Sequence, residues 1–409
     1  MDTTRRRFIG SLLYGGAGLL FGNARGRSAR VTVPPNPSQA AAHRVFADLH
    51  VHAMMNEWIS QTPPAVEFPA VGKLAKKFLN PTKFSWNECH RAGIDVLCVT
   101  HFNVFDEWLS MPTDPNPEAP ANTIRMMDML EDELNGTMAP YARLARNAAE
   151  LESMLAVPRR SEEYRIAVVH TVEGGHALGG DIGAVELFAR RGVALMTITH
   201  FFNKGISSAA NAFPFFPDEN SRWPHQGLYR FGLDVIKEME RLGMIVDVTH
   251  ATNTAMDDIL RHACKPLVAT HTSARTLADR PYCLLDEHIQ EIAKRRGLIG
   301  IILYPYDLSN YANDRMAEKK GTLLDVARVV RHVAKICGTH TCIGIGSDFC
   351  GYIKGPKDMM KLGEIDKLRR TLLDEFDKDE KIVEDIMANN VIHFLRNNWK
   401  TGIHSPTIH

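Results

Sequence analysis

Short apolar runs recur along the chain after residue 44, and most of them end in a polar residue. Runs that are apolar or β-branched at consecutive positions are typical of parallel strands that are covered on both faces. We count eight of them: RVFADLHVH, IDVLCVTHF, YRIAVVHTVEGG, VALMTITHF, GMIVDVTHA, PLVATHTSA, GLIGIILYP and CIGIGSDFCG. The pattern therefore predicts eight parallel strands.

The segments between these runs carry helix signals. Apolar residues recur at helical spacing over residues 228–242, and Gly243 follows as a stop. Two Thr-x-x-Asp patterns, Thr254–Asp257 and Thr322–Asp325, predict capping boxes at helix starts. The alternation of strand and helix predicts an α/β fold, a (β/α)8 TIM barrel. A doubly wound open sheet fits less well, because polar residues end nearly all the strands and not only those at a switch point.

Two insertions and a helical end complete the predicted barrel. Residues 53–84 follow strand 1 and residues 201–226 follow strand 4, and both would lie over the catalytic face. The second insertion is rich in Pro and aromatic residues, so it is either a pocket wall or a packed surface loop. Residues 366–399 are predicted to form one or two closing helices.

The N-terminal residues are predicted to lie outside the barrel domain, which spans residues 44–409. Residues 1–24 contain an arginine run, Arg5–Arg7, followed by an apolar Gly-rich stretch, and resemble a twin-arginine signal peptide. Residues 25–43 contain prolines that discourage helix, which predicts an extended linker. We expect a periplasmic or exported protein that uses the twin-arginine translocation machinery. A disordered basic arm and an uncleaved membrane anchor are the alternatives.

Charge and cysteine content narrow the function classes. The 48 Lys and Arg residues balance the 48 Asp and Glu residues, and the sequence has no basic stripe with interleaved aromatics, so nothing indicates a nucleic-acid partner. The seven cysteines are scattered without a CxxC pair, and a chain of this length can bury its own core, so we expect no disulfide framework. The sequence also contains no Ser nucleophile elbow, P-loop or dinucleotide fingerprint.

Polar residues stand at the ends of six of the eight predicted strands. In a barrel all strands open on the same face, so these residues would meet there. They are His50, His52, Glu173, His200, His250, His271 and Asp348. A single histidine at a strand end is more often structural, but that explanation weakens when several occupy equivalent positions. The pattern predicts one functional site at the C-terminal face of the barrel.

Four histidines and one carboxylate from strands 1, 3, 5 and 6 predict a metal centre. Imidazole and carboxylate ligands suit zinc, which keeps a position open for water when the site is catalytic. The predicted ligands are His50, His52, Glu173, His250 and His271. Five ligands exceed the need of one ion, so we expect two Zn²⁺ or other divalent metal ions, with Glu173 able to bridge them.

Other polar residues near the strand ends receive different roles. Asp348 is the predicted general base, because a carboxylate that is not a full ligand can take a proton from water and pass it to the leaving group. A helix N-cap or a plain ligand is the alternative for this residue. Asp48 lies about two residues deeper along its strand, so we expect it to support the ligands. His101 and His170 are predicted to be structural.

The strand ends and the segments around them resemble the membrane (renal) dipeptidase family of the amidohydrolase superfamily. The similar segments are VEGGHAL, MTITHFFN, GLYRFGLDVIKEMERLGMIVDVTH, ATHTSAR, IGIGSDFCG and the closing MANNVIHFL. The resemblance covers essentially the whole chain after residue 44, and together these motifs are highly specific. It implies a zinc-dependent barrel that hydrolyses dipeptides, with some members acting on related small amides.

The resemblance also implies a role for individual residues. It implies two sets of zinc ligands, which are His50 with Glu173 and Glu173 with His250 and His271. By the same resemblance, His200 would polarise the scissile carbonyl or steady the intermediate. Asp348 would be the general acid/base.

The chain departs from the resembled family at two positions. The family has His-x-Asp at the end of strand 1, whereas this chain has His50-Val51-His52, so an imidazole replaces a carboxylate ligand. Where the family has an arginine for the substrate carboxylate, this chain has Tyr282, and Arg280 lies two residues earlier. Arg280 and Tyr282 are therefore predicted substrate-binding residues, together with His200.

Three functions are compatible with these residues. The leading hypothesis is an exported metallohydrolase that cleaves a dipeptide or a similar small amide. The departure at Tyr282 favours a second hypothesis, an amidohydrolase whose amide, lactam or ester substrate has no free C-terminal carboxylate. The third is a catalytically weak periplasmic maturation or binding factor, against which the full ligand set and Asp348 argue. A homodimer is open in each case.

Overall fold

The structure is a computed structural model that describes residues 46–62, 84–108, 114–210, 227–310 and 321–401, together with Lys73. The predicted signal at residues 1–24 and linker at residues 25–43 lie outside the described residues. So do most of residues 63–83 in the first predicted insertion and all of residues 211–226 in the second. Within the described ranges, no helix has the length and apolar character needed to cross a membrane.

Eight parallel strands close into a barrel. The strands of the described residues are β1 (Ala47–Val51), β2 (Val96–His101), β3 (Ala142–Leu144), β4 (Ile166–Glu173), β5 (Leu195–Thr197), β6 (Ile245–Asp247), β7 (Val268–Thr272), β8 (Leu298–Ile301) and β9 (Ile343–Ile345). Strands β1, β2 and β4 to β9 pair in chain order, and β9 pairs with β1. Each of these eight strands lies within one of the predicted runs, so the predicted TIM barrel is confirmed.

β3 is a short strand that the sequence pattern did not predict. It pairs with the first residues of β4, from Ala142 opposite Ile166 to Leu144 opposite Val168. On the same side, β5 pairs with the last three residues of β4. β3 therefore extends the sheet beside the barrel without adding a strand to the closed ring.

Helices surround the barrel, and their buried apolar side chains pack on the outer face of the strands. In the described part of the chain they are α1 (Met55–Gln61), α2 (Trp86–Arg91), α3 (Val104–Trp108), α4 (Ala119–Asn135), α5 (Ala148–Leu155), α6 (Gly183–Arg190), α7 (Arg230–Leu242), α8 (Asn253–His262), α9 (Asp286–Lys294), α10 (Pro305–Leu308), α11 (Leu323–Cys337), α12 (Asp366–Glu375), α13 (Glu380–Glu384) and α14 (Asn390–Asn398). A π-helical turn, Asp385–Asn389, joins α13 to α14.

Helix ends follow two of the three predicted signals. α7 ends before Gly243, whose φ of 75° lies in the left-handed region that glycine adopts without strain. The predicted Thr322–Asp325 capping box is present at the start of α11. The predicted Thr254–Asp257 box is wrong, because the Thr252 hydroxyl caps α8 by accepting the N–H of Ala255.

The C-terminal helix α14 closes one end of the barrel. Val391, Leu395 and Trp399 are buried in one cluster with apolar residues from the first positions of the barrel strands. Inside the barrel the strands approach closely, since a Cβ atom on Gly300 would lie 1.9 Å from the Thr270 carbonyl oxygen. The polar residues of the predicted site lie at the other end of the barrel, where the strands finish.

Candidate metal centre

Glu173 lies at the centre of a group of imidazoles at the C-terminal ends of the strands. It ends β4, and its side chain is buried. Its Oε1 atom lies 3.2 Å from Nε2 of His250 and 3.3 Å from Nε2 of His271. The same oxygen lies 3.6 Å from Nε2 of His50 and 3.6 Å from Nε2 of His200. Four different strands thus direct one ring nitrogen each toward one carboxylate oxygen.

The second part of the site lies between the end of β1 and the turn that follows β9. Nε2 of His52 lies 3.1 Å from Asp348 Oδ1, 3.3 Å from Nε2 of His50 and 3.5 Å from Glu173 Oε2. Burial alone would lower the pKa of His50, but the charges of Glu173 and Asp348 outweigh this effect and raise the pKa to about 9. A cation in this part of the site would therefore displace a proton from His50. The structure brings all the predicted donors into one buried cluster.

The cluster has the spacing and chemistry of a site for divalent cations. Two ligands of a tetrahedral zinc ion are about 3.3 Å apart, given ligand distances of about 2.0–2.1 Å. Three sets of donors each hold their ligand atoms within 4.8 Å of one another, which are His50–His52–Asp348, His50–Glu173–His271 and Glu173–His200–His250. Within the described residues, Glu173 Oε2 is buried without a hydrogen-bond partner. The residues present therefore fit divalent metal ions.

Asp48 holds the turn that carries Asp348. Its Oδ1 accepts the N–H of Ser347 at 2.8 Å and that of His50 at 3.2 Å, and its Oδ2 accepts the Ser347 hydroxyl at 2.6 Å. Asp348 itself has a φ of 57°, a left-handed conformation that aspartate and asparagine tolerate better than most residues. Asp48 therefore supports the backbone of two donors, as its position in the strand led us to expect.

Asp247 orients His271 through the hydroxyl of Thr270. Oδ2 of Asp247 accepts the hydroxyls of Thr270 at 2.7 Å and Thr197 at 2.5 Å. The Thr270 hydroxyl lies 2.9 Å from Nδ1 of His271, and its own proton is committed to Asp247, so it accepts the Nδ1 proton. Nε2 of His271 is left with its lone pair toward Glu173, which is the form that a metal ligand needs.

Burial and charge set the protonation states around Glu173. Burial and the neighbouring His200 lower the pKa of His250 to about 4. Burial and the neighbouring His50 lower the pKa of His271. Burial alone would raise the pKa of Glu173. The opposing effect of neighbours such as His200 and His50 is larger, so the pKa lies well below its ordinary value. At neutral pH the site thus offers an ionised carboxylate and two neutral imidazoles, the states in which these groups bind metals.

Glu107 is a buried carboxylate at the site that the sequence analysis missed. It lies in α3, and its Oε2 accepts the Nδ1 proton of His200 at 2.8 Å. Its Oε1 accepts the backbone N–H groups of Phe201 at 2.7 Å and Phe202 at 3.1 Å. Burial alone would raise the pKa of Glu107, but the neighbouring His200 and His176 outweigh this effect and lower the pKa to about 2. The sequence offered only an acidic residue in a first helical turn, which is common and carries little information.

The two predicted substrate-binding residues beside β7 have different surroundings. The buried Tyr282 ring has its centroid 4.9 Å from that of His250, and its hydroxyl donates to the carbonyl oxygen of His271. The Arg280 guanidinium lies 3.8 Å from the ring centroid of Tyr306 and donates to the Tyr306 carbonyl oxygen at 3.4 Å. Tyr282 therefore supports two donor histidines, whereas Arg280 packs on the segment after β8.

His101 and His170 contact each other and a surrounding helix. His101 Nε2 and His170 Nδ1 are 2.8 Å apart, and His170 Nε2 lies 3.3 Å from an oxygen of Glu131 in α4. Burial lowers the pKa of both histidines. These contacts agree with the structural role predicted for them, and they supply the partner of His101 that the sequence did not identify.

Comparison with known proteins gives matches over most of the chain. The family model described as membrane dipeptidase (peptidase family M19) matches residues 80–405. The chain is 29% identical over 281 residues to dipeptidase tcpJ of Claviceps purpurea, covering 67% of this chain and 59% of that protein. It is 27% identical over 236 residues to an uncharacterized dipeptidase of Schizosaccharomyces pombe, covering 58% of this chain and 53% of that protein. The matched region thus spans little more than half the length of these relatives.

A solved structure shares the fold. It is a metallo peptidase from Rhodobacter sphaeroides, determined with a phosphinate mimic of the dipeptide L-Ala-D-Ala. The similarity has a TM-score of 0.67 and covers 87% of this chain and 100% of that chain, at 18% identity. At this identity the similarity concerns the fold alone.

Proposed function

This chain belongs to the membrane dipeptidase family, and we propose that it is a metal-dependent hydrolase of dipeptides or similar small amides. The observation that carries the proposal is the buried donor cluster, in which Glu173 Oε1 lies within 3.6 Å of Nε2 of four histidines. Imidazole and carboxylate groups gathered in this way suit zinc and have no apolar packing role. The dipeptidase names of the relatives support the same substrate class.

The donors would hold two divalent metal ions, and Glu173 belongs to two of the three donor sets. The proposed ligands are His50, His52, Glu173, His250 and His271. Bound there, such ions supply Lewis acidity and a hydroxide nucleophile at neutral pH. The protein side chains fix the geometry around them, because Asp247 and Asp48 hold the strands and turns that carry the ligands.

The remaining residues of the site would handle the substrate. Asp348 is buried beside His52 and would accept the proton of the attacking water and return it to the leaving amine. Glu107 accepts the Nδ1 proton of His200. Burial lowers the pKa of His200, but the charges of Glu173 and Glu107 outweigh this effect and raise it, which favours the imidazolium, whose Nε2 proton would be donated to the scissile carbonyl oxygen. Phe201, whose ring centroid lies 3.7 Å from that of His200, would help to keep water away from this edge.

Hydrolysis of a panel of dipeptides by the zinc-loaded protein tests the proposal. We expect release of both amino acids by the parent and a strong loss of rate in Asp348→Asn. A parent protein that binds no metal, or an Asp348→Asn variant that is as active as the parent, would contradict the proposal. A metal-loaded parent without activity on a broad panel of small amides would instead favour the maturation or binding factor.

The surroundings of Tyr282 and Arg280 favour a second candidate, hydrolysis of an amide, lactam or ester without a free carboxylate. The Tyr282 hydroxyl already donates to the His271 carbonyl oxygen, and the Arg280 guanidinium is stacked on Tyr306. The Tyr282 hydroxyl and the two Nη atoms of Arg280 thus already have partners within the protein.

Arg280→Ala separates the two candidates. If Arg280 turns toward a dipeptide carboxylate, the variant raises KM for a dipeptide at least about tenfold but not KM for the same dipeptide with a C-terminal amide. Equal effects on the two substrates, or none, would favour the second candidate. The control is Arg261→Ala, which removes a guanidinium that pairs with Asp258 on α8.

We also propose that the chain is exported, on the basis of the arginine run Arg5–Arg7 and the apolar stretch after it. Fractionation of cells that express the full chain tests this. We expect the protein in the periplasm, and retention in the cytoplasm when Arg5 and Arg6 are replaced with lysine. Periplasmic protein at the same level in both cases would contradict the proposal.

A further inference from the structure

The ring of His200 is held by aromatic packing and by one hydrogen bond. Its centroid lies 3.7 Å from that of Phe201 and 4.5 Å from that of Phe102. Such packing fixes the plane of an imidazole but not which nitrogen faces the site, because the two ring orientations have nearly the same shape. The hydrogen bond from Nδ1 to Glu107 is the contact that distinguishes them.

Glu107 reaches His200 from a distant part of the chain. It comes from α3, 93 positions earlier, and is completely buried. Its two oxygens accept hydrogen bonds from His200, Phe201 and Phe202, which are consecutive residues where the chain leaves β5. A buried carboxylate is costly unless its oxygens are paired in this way, so these three bonds also fix where the carboxylate lies.

We propose that Glu107 is a positioning residue that holds the His200 imidazole with Nδ1 toward α3 and Nε2 toward Glu173. In this orientation Nε2 lies 3.6 Å from Glu173 Oε1, and no hydrogen-bond partner occupies it among the described residues. Nε2 is then the atom presented to the substrate carbonyl. That consequence rests on the proposed hydrolase function, whereas the orientation of the ring does not.

Glu107→Gln distinguishes the roles of the two carboxylate oxygens, because Oε2 accepts from His200 and Oε1 from the backbone of Phe201 and Phe202. The amide oxygen can still accept the N–H groups of Phe201 and Phe202, so the loop keeps its anchor. The NH₂ group would face the Nδ1 proton of His200, donor against donor, so the ring loses its bond or turns over. The matched control is Asp106→Asn, the same change in the neighbouring buried carboxylate, which binds three asparagine side chains.

Imidazole ¹⁵N–¹H spectra of protein labelled in histidine test the orientation without recourse to activity. We expect a hydrogen-bonded Nδ1 proton of His200 in the parent, assigned by its loss in His200→Asn. This signal should shift or vanish in Glu107→Gln and persist in Asp106→Asn. An unchanged signal in Glu107→Gln, or a parent without that proton, overturns the proposal. If Glu107→Gln does not fold, Glu107→Asp, with a shorter reach, takes its place.

Kinetics of the zinc-loaded protein test the consequence for the rate. We expect kcat to fall about 10–100-fold in Glu107→Gln with KM changed less than about threefold, and a parental kcat in Asp106→Asn. If Glu107 acts through His200, adding Glu107→Gln to His200→Asn causes no further loss, whereas additive losses overturn the proposal. A parent inactive on every dipeptide contradicts the proposed function but leaves the spectroscopic test decisive for the orientation.

Discussion

Replacing Asp348 with asparagine removes the proposed proton carrier while keeping its shape. Asp348 has a φ of 57°, which asparagine tolerates, whereas alanine there would add backbone strain. The hydrogen bonds between Asp48 and Ser347 hold the preceding residue and do not involve the Asp348 side chain. We therefore expect the free energy of unfolding of Asp348→Asn to stay within about 1 kcal/mol of the parent value.

The loss is expected in kcat. Oδ1 of Asp348 lies 3.1 Å from Nε2 of His52. Burial alone would raise the pKa of Asp348, but the hydrogen bond from His52 and nearby charges outweigh this effect and lower the pKa. The group is therefore ionised and able to accept a proton. A positioned acid–base group contributes about 10²–10⁴-fold to a rate. At about 1.36 kcal/mol per tenfold, this corresponds to about 2.7–5.4 kcal/mol of barrier.

Initial rates of dipeptide hydrolysis give kcat and KM, and elemental analysis gives the metal content of each protein. The control is Asp325→Asn, the same change in a buried carboxylate of the α11 capping box, for which we expect a parental kcat. A variant that keeps its metal and a kcat within about tenfold of the parent would refute the acid–base role. Loss of metal in Asp348→Asn would make this residue a ligand instead.

Three further predictions concern stability. Thr322→Ala removes the hydroxyl of the α11 capping box, so urea unfolding should show a loss of about 1 kcal/mol, and an unchanged midpoint would contradict this. Burial lowers the pKa of His101 and His170 below the ordinary 6.5, so the unfolded chain takes up these protons first and stability falls as the pH drops below 6.5. His101→Gln should reduce that slope by up to about 1.4 kcal/mol per pH unit in urea unfolding, and an equal slope would refute the assignment. Zinc at about a hundredfold excess over Kd should stabilise the folded protein by about 2.7 kcal/mol, seen as a higher Tm that Glu173→Gln abolishes.

The barrel could be predicted because its strands are buried on both faces. β2, for example, is buried at every position and therefore forms a continuous apolar run in the sequence. β3 could not be predicted, since three residues with an exposed Arg143 at the centre form no such run. The start of α8 was misplaced because Thr252 and Thr254 are equally good caps by composition. In the structure, the Thr252 hydroxyl also shares a hydrogen bond with the Ser208 hydroxyl, a tertiary contact that composition does not indicate.

The buried cluster of histidines and carboxylates could be predicted because barrel topology brings all strand ends to one face. The residues that orient them could not, since they depend on how distant segments pack. Glu107 reaches His200 from a separate helix, and the sequence between them contains no pattern that links the two. Likewise, the position of Tyr282 was identified by its place in the chain, but the engagement of its hydroxyl with His271 became visible only in the structure.

The metal content of the purified protein tests the central claim most directly, because the proposed activity depends on the cluster around Glu173. After incubation with zinc and removal of the excess, we expect about two ions per chain in the parent. Glu173→Gln removes the charge of the shared ligand, and we expect it to bind less than one ion per chain. A parent that retains no zinc, or a Glu173→Gln protein that retains as much as the parent, would contradict the account.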